Sequence, residues 1–265
     1  MSLLHSDQVS QASHNLNDIN AHLVDNETLL NYCLRALSAP GVTQLAIDLE
    51  GVSLSRNGKL SLIQVMTDLA QNTVWVVDVT VLGNFAFEYV GQSGWSLRTI
   101  LENRDTVKML FDVRNDSDSL YNLYGITLAN VYDLQLLEIA VRRSNDLNAV
   151  IVSGLSSTIT QYLNPDRDWK RVKDEGNTLF KASGNQELVE IRPLDPRIIQ
   201  YAVQDVTLLF QLAGKLERAL GDIGKNWVKR VFKASSKRVK QALKPLPQYS
   251  NPKKAKKAKI FAPMF

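Results

Sequence analysis

Leu45-Ala46-Ile47-Asp48-Leu49-Glu50 is an apolar run carrying two acids two positions apart. In an extended strand alternate side chains share a face. Asp48 and Glu50 then point one way, Ile47 and Leu49 the other. Their Cα atoms stand about 6.5–7 Å apart, a spacing that suits two carboxylates bridging divalent cations about 3.5–4 Å apart. Buried without cations, the pair repels and one acid is pushed towards protonation. An isolated Asp-X-Glu also arises where one strand acid pairs with a base and the other faces water, so the acids further along the chain decide its meaning.

Around this stretch the pattern is that of an α/β protein. Thr43 to Glu50 reads as the central strand, Ser55-Arg56-Asn57-Gly58 as a hairpin turn, Leu60 to Met66 as the returning strand and Thr73 to Val79 as the third strand of a meander. Upstream, Ile19 to Val24 reads as a short strand. Asp25 is expected to cap a helix from about Glu27 to Ser38, which Pro40-Gly41 stops. Downstream, a helix is expected over Trp95–Leu101 and a strand over Val107–Val113. Asn115-Asp116-Ser117 offers cap chemistry for a helix from about Ser117 to Tyr124, closed by Gly125, and Val131-Tyr132 leads into a helix over Leu134–Val141. Strands alternating with helices indicate a sheet with a parallel portion.

Leu155–Leu163 looks helical, and Asp166–Gly184 reads as a mixed helix-and-loop insert. Arg192-Pro193-Leu194-Asp195-Pro196 is expected to cap one long helix from Arg197 to about Leu220. Asn226–Leu243 reads as a basic amphipathic helix with Trp227, Val228, Val231, Phe232, Val239 and Leu243 on one face. The expected organisation is a loose N-terminus over 1–16, a main domain over 17–222, a basic helical extension over 223–250 and a Lys-rich tail over 251–265.

The chain has 265 residues, 45% of them hydrophobic, enough for one sizeable core. Its single cysteine, Cys33, excludes an intramolecular disulfide framework and fits a reducing compartment. No apolar run approaches the ~20 residues that span a bilayer. The N-terminus has no apolar signal core and no Lys or Arg before Arg35, so an intracellular protein of nucleus or cytoplasm is expected. Charge is uneven. The first 222 residues hold 18 of the 31 basic and all 27 acidic residues, while Ile223 to Phe265 holds thirteen basic residues. An acidic body with a basic end suggests a carboxylate-rich site and a polyanionic partner.

Two further motifs carry acids. Asp112-Val113-Arg114-Asn115-Asp116-Ser117-Asp118 offers three aspartates, of which Asp116 follows a strand and opens a helix; it serves equally well as a helix cap. Tyr201 and Asp205, four apart, lie one turn apart on one helix face, where a phenol and a carboxylate can address the same water.

Together Asp48, Glu50, Asp116, Tyr201 and Asp205 resemble the DEDDy family of 3′–5′ exonucleases, over roughly Asn17 to Leu220. Leu60-Ser61-Leu62-Ile63-Gln64-Val65 matches the strand paired with the first motif. The family's acid stands nine residues before such a glycine, so the resemblance implies Asp116, nine before Gly125, over Asp112 and Asp118. Where a sister class carries histidine, this chain has Gln200. Arg114-Asn115-Asp116-Ser117 and Arg192-Pro193-Leu194 look like the ribonuclease D-like branch that includes Egalitarian-type exonuclease domains, some members of which have lost acids and act as RNA-binding scaffolds.

The resemblance implies a ribonuclease H-like (DnaQ-like) mixed sheet flanked by helices, and hydrolysis of single-stranded nucleic acid, RNA before DNA, to nucleoside 5′-monophosphates. All-oxygen ligands suit two divalent cations, Mg²⁺ or Mn²⁺. Asp48 is expected to bridge them. Glu50 and Asp205 would complete the one that activates water, Asp116 would hold the one facing the leaving group, and Tyr201 would orient the attacking water. Gly51, Val52 and Leu54 are candidates for contacts with the terminal nucleotide; Gly51 replaces the bulkier residue usual in the family. Lys253, Lys254, Lys256, Lys257 and Lys259 are candidates for phosphate contact or an import signal. A non-catalytic RNA-binding adaptor and a small-molecule phosphohydrolase are the alternatives.

Overall fold

The computed structural model describes residues 19–146, 148–179, 186–221 and 224–245. Six strands form one mixed sheet: β1 (Asn20–Val24), β2 (Gln44–Glu50), β3 (Leu62–Thr67), β4 (Thr73–Asp78), β5 (Val107–Leu110) and β6 (Val131–Asp133). Their spatial order is β1-β4-β3-β2-β5-β6. The meander expected from the Ser55–Gly58 turn is present: β3 runs antiparallel to both β2 and β4, while β5 and β6 extend the sheet parallel to β2 and β1 lies parallel to β4. This is the expected mixed α/β sheet.

The period of two divides the core in half. Ala46, Leu62, Met66, Val74 and Val76 face one cluster; Leu45, Ile47, Leu49, Ile63, Val65 and Val77 face the other. The second cluster lies under α1 (Glu27–Leu37), α4 (Leu97–Glu102) and α5 (Arg114–Tyr124). The first is covered by α6 (Leu134–Asn145), α9 (Pro196–Thr207), α10 (Leu209–Leu220) and α11 (Gly224–Gln241). Asp48 and Glu50 share parity with Ala46, so they lie on the α9 side of the sheet.

Several boundaries differ from expectation. The cap of α1 is Asn26, whose side chain accepts from Leu29 N; Asp25 instead accepts from the Asn26 amide. Two short helices, α2 (Val79–Leu82) and α3 (Phe85–Glu88), follow β4. β5 stops at Leu110 because Asp112 takes a left-handed conformation, φ 67°, that turns the chain directly into α5. α5 therefore begins at Arg114, with Val113 as a cap residue that makes no side-chain bond. The long helix expected from Arg197 to Leu220 is two helices, α9 and α10, meeting at Leu208. In the 155–190 region the chain forms α7 (Leu155–Leu163), α8 (Arg167–Asn177) and a 3-10 turn over Gln186–Glu190.

Helix α11 packs its apolar face inward. Val231 and Ala234 are buried, and the Phe232 ring stacks on Tyr132 at 4.6 Å. Leu243, expected on that face, is 45% exposed, just past the helix end. Ser235 Oγ accepts from Asp133 N at 3.0 Å, and the buried Arg238 donates to Asp133 Oδ2 at 2.6 Å. Among the described residues no helix is long and apolar enough to cross a membrane.

Candidate active site

Three of the four acids expected from the sequence, Asp48, Glu50 and Asp205, meet where β2 ends. Asp48 and Glu50 project from one face of that strand, opposite Gln64 and Leu62 of β3. Above them runs α9. Its start is fixed by Asp195, whose carboxylate accepts from Arg197 N at 2.9 Å, and by Pro196 in the first turn. Arg192, just upstream, ties this entry to the end of β4: its Nε donates to Asp78 Oδ2 at 2.6 Å and its second amino group to Oδ1. Glu190 adds a second tether, accepting from Thr80 Oγ1 at 2.8 Å and from Ser61 Oγ. So anchored, α9 directs Tyr201 and, one turn on, Asp205 onto the sheet.

One carboxylate oxygen from each of Asp48, Glu50 and Asp205 lies within 4.8 Å of the others. Burial raises the Asp48 carboxyl well above the usual range. Asp205, Glu50 and Asp116 raise it further, in that order, while the Lys173 ammonium opposes them. Asp116 belongs to the same field without being in the tight group of three. Its carboxyl is raised by burial first, then by Asp112, Asp133 and Glu50.

The three aspartates of the second motif are sorted by their partners. Asp112 pairs with Arg114 and Arg238, and Asp118 accepts from Arg56 Nε at 2.9 Å. Asp116 makes no ion pair among the described residues and is buried in the first turn of α5, not at its cap. Tyr201 is buried, its hydroxyl 3.4 Å from Asn177 Oδ1, and its phenol is raised by burial and then by Asp205, Glu50 and Asp48.

The remaining candidates separate. A Cβ on Gly51 would stand 2.0 Å from the Lys59 carbonyl oxygen, so the close approach of the two hairpin arms requires glycine there. Val52 packs on the α9-side core and Leu54 on the opposite one. Lys253, Lys254, Lys256, Lys257 and Lys259 lie outside the described residues.

Two groups went unnoticed in the sequence. Lys173 of α8 is buried, its Nζ donating to Asp205 Oδ1 and lying 4.1 Å from the centroid of the Tyr201 ring. Gly176, one turn on, lies against that ring, where a Cβ would come within 2.0 Å of Tyr201 Cδ2. Trp169, Lys173 and Gly176 stand at i, i+4 and i+7 and so share one helix face, the buried face of α8.

The donor set fits a divalent cation. Three hard oxygen donors converge from two elements, and their mutual repulsion is what a cation would relieve. Gln64, fully buried directly across from Asp48, has neither amide atom hydrogen-bonded among the described residues, which leaves a polar neighbour available to a hydrated site.

Residues 21–221 match the 3′–5′ exonuclease family model. The human piRNA biogenesis protein EXD1 is 28% identical over 171 residues, which are 63% of this chain and 31% of that protein. The chain thus spans about a third of the curated relative's length. Trypanosoma brucei RNase D in complex with RNA U12 superimposes with a TM-score of 0.70 at 22% identity, covering 89% of this chain and 76% of that one. Brucella melitensis NrnC with bound Mg²⁺ gives 0.57 at 19% identity, over 87% and 99%. Fold, motif order and the match over residues 21–221 lead to one assignment: the chain belongs to the 3′–5′ exonuclease family.

Proposed function

We propose that this chain is a metal-dependent 3′–5′ exonuclease that hydrolyses single-stranded nucleic acid, RNA before DNA, to nucleoside 5′-monophosphates. The observation that carries the reading is the convergence of Asp48, Glu50 and Asp205 within 4.8 Å at the end of β2, with Asp116 beside them. Asp48, Glu50, Asp205 and Asp116 would hold two divalent cations, Mg²⁺ or Mn²⁺. When bound, such a pair polarises a phosphodiester, lowers the pKa of water and stabilises the departing 3′ oxygen. The protein's part is to fix the geometry. β2 and α9 hold the carboxylates of Asp48, Glu50 and Asp205, and the Tyr201 hydroxyl orients the attacking water as a hydrogen-bonding group; a phenol with an ordinary pKa about 10 is a poor base at neutral pH. That a related fold, RNase D of Trypanosoma brucei, is known in complex with RNA supports RNA as substrate. The exposed Lys225, Lys229, Lys233, Lys237 and Lys240 of α11 supply a cationic surface of the kind a polyanion needs.

One observation favours a non-catalytic RNA-binding role: the Lys173 ammonium already engages an oxygen of Asp205. A single assay separates the two. Single-stranded RNA and DNA labelled at either end are incubated with Mg²⁺, Mn²⁺ or EDTA, alongside Asp48→Asn. A ladder shortening from the 3′ end, abolished by EDTA and by the substitution, supports the enzyme. Intact RNA that is still retarded on a native gel, with or without cation, supports the adaptor.

A further inference from the structure

Lys173 enters the carboxylate cluster from α8, an element that belongs to neither the sheet nor α9. It is only 4% exposed. A lysine is almost never buried so deeply unless it is paired, because removing its charge from water costs several kcal/mol. Its one ion-pair partner among the described residues is Asp205, and its Nζ also sits over the Tyr201 ring. The bared backbone of Gly176 against Tyr201 and the bond from Gln204 Nε2 to the Trp169 carbonyl, 2.9 Å, clamp α8 on α9 to either side of it. The ammonium is therefore delivered to Asp205 by the architecture rather than by a wandering surface side chain.

Asp205 is also one of the three carboxylates that fit a cation. An ammonium and a divalent cation on one carboxylate repel each other, so each weakens the other's hold. The four-carbon stem of lysine lets the charge withdraw while the helix stays in place.

We propose that Lys173 is a built-in competitor for the metal at Asp205. It keeps the acids assembled while no cation is bound and raises the divalent concentration needed to load the site. This rests on the metal-site reading above, and the test separates the failure of one from the failure of the other.

Metal-free full-length protein is titrated with Mn²⁺ by calorimetry, and melting midpoints are measured metal-free and at saturating Mn²⁺. Lys173→Met should bind Mn²⁺ at least tenfold more tightly than the wild type, the equivalent of about 1.4 kcal/mol. Its midpoint should fall in the metal-free state and recover at saturation. Unchanged or weaker Mn²⁺ binding overturns the proposal. So does a midpoint that falls equally in both states, because that is the mark of lost packing. A wild type that gives neither heat nor a midpoint shift with Mn²⁺ removes the metal site itself, and the competition with it. Should Lys173→Met fail to fold, Lys173→Gln, which keeps the stem and an N–H donor without the charge, replaces it: tighter Mn²⁺ binding by that variant supports the competition, and unchanged or weaker binding overturns it.

Discussion

Asp48→Asn should stabilise the metal-free protein while abolishing its hydrolytic activity. Two unit charges 4.8 Å apart, the bound on the oxygens of Asp48, Glu50 and Asp205, repel by about 3.5 kcal/mol at an effective dielectric of 20. Asp48 faces two such neighbours. It can escape by binding a proton, so the penalty at pH 7 has a ceiling. An unfolded carboxyl with pKa about 3.9, held protonated in the folded state, costs at most about 4.2 kcal/mol there. Lys173 offsets part of this. Near half the ceiling, about 2 kcal/mol, is expected for the neutral, isosteric amide. At about 2–4 °C per kcal/mol for a domain of this size, the metal-free midpoint should rise by roughly 4–8 °C.

The pH dependence has a definite sign. The folded protein holds the Asp48 proton to higher pH than the unfolded chain does, so metal-free stability falls as pH rises from about 4 through the raised Asp48 value. The variant should show a flatter profile. Scanning calorimetry in EDTA between pH 4 and 8, with exonuclease assays at pH 7.5, reads both halves. A variant that melts below the wild type in EDTA, or shares its pH profile, would refute the crowding of these carboxylates.

Tyr201→Phe should lower the single-turnover rate at least tenfold and leave RNA affinity unchanged, at a stability cost within about 1 kcal/mol because its bond to Asn177 is long; an unaltered rate makes Tyr201 a packing residue. Gly176→Ala should destabilise by about 1–3 kcal/mol in urea, since its Cβ would overlap a buried ring at 2.0 Å, and a wild-type midpoint would contradict that contact. Arg238→Met should cost about 3–5 kcal/mol by leaving the Asp133 carboxylate buried and short of its ion-pair partner, a loss read by denaturant titration. Deleting residues 251–265 should make the log–log salt dependence of single-stranded RNA binding shallower by up to about 3.5, and an unaltered slope reduces that segment to a spacer.

The sheet was legible because its information is local. Alternation over Leu45–Glu50 places two acids on one face, and Ser55–Gly58 places the partner strand beside them. The resemblance singled out Asp116; in the structure Asp112 and Asp118 are each paired with a guanidinium, and Asp116 has no such pair among the described residues. The start of α5 was misplaced because the usual cap residues sit three positions too late, inside a helix that a left-handed Asp112 launches without any side-chain cap. The break between α9 and α10 has no glycine, proline or cap to announce it. Lys173 escaped notice for another reason. In a helix rich in Lys, Arg, Asp and Glu the ordinary reading of any cation is a solvated one. Its burial depends on where α9 passes, a tertiary fact that the local sequence of α8 does not state.

The bond from Asp133 N to Ser235 Oγ has a consequence for how the molecule avoids its own kind. β6 is the last strand of the sheet, three residues long, and its outward N–H groups are a template for a foreign strand. Helix α11 satisfies one of them with a hydroxyl and sets Arg238 on the carboxylate of the same residue, Asp133, so the edge is shielded by the same helix whose outer face is cationic. Proteolysis ahead of Gly224 would strip that cover and bare the edge to other chains. The fragment would retain every residue of the acidic cluster while losing both the cover of its edge strand and the Asp133–Arg238 ion pair.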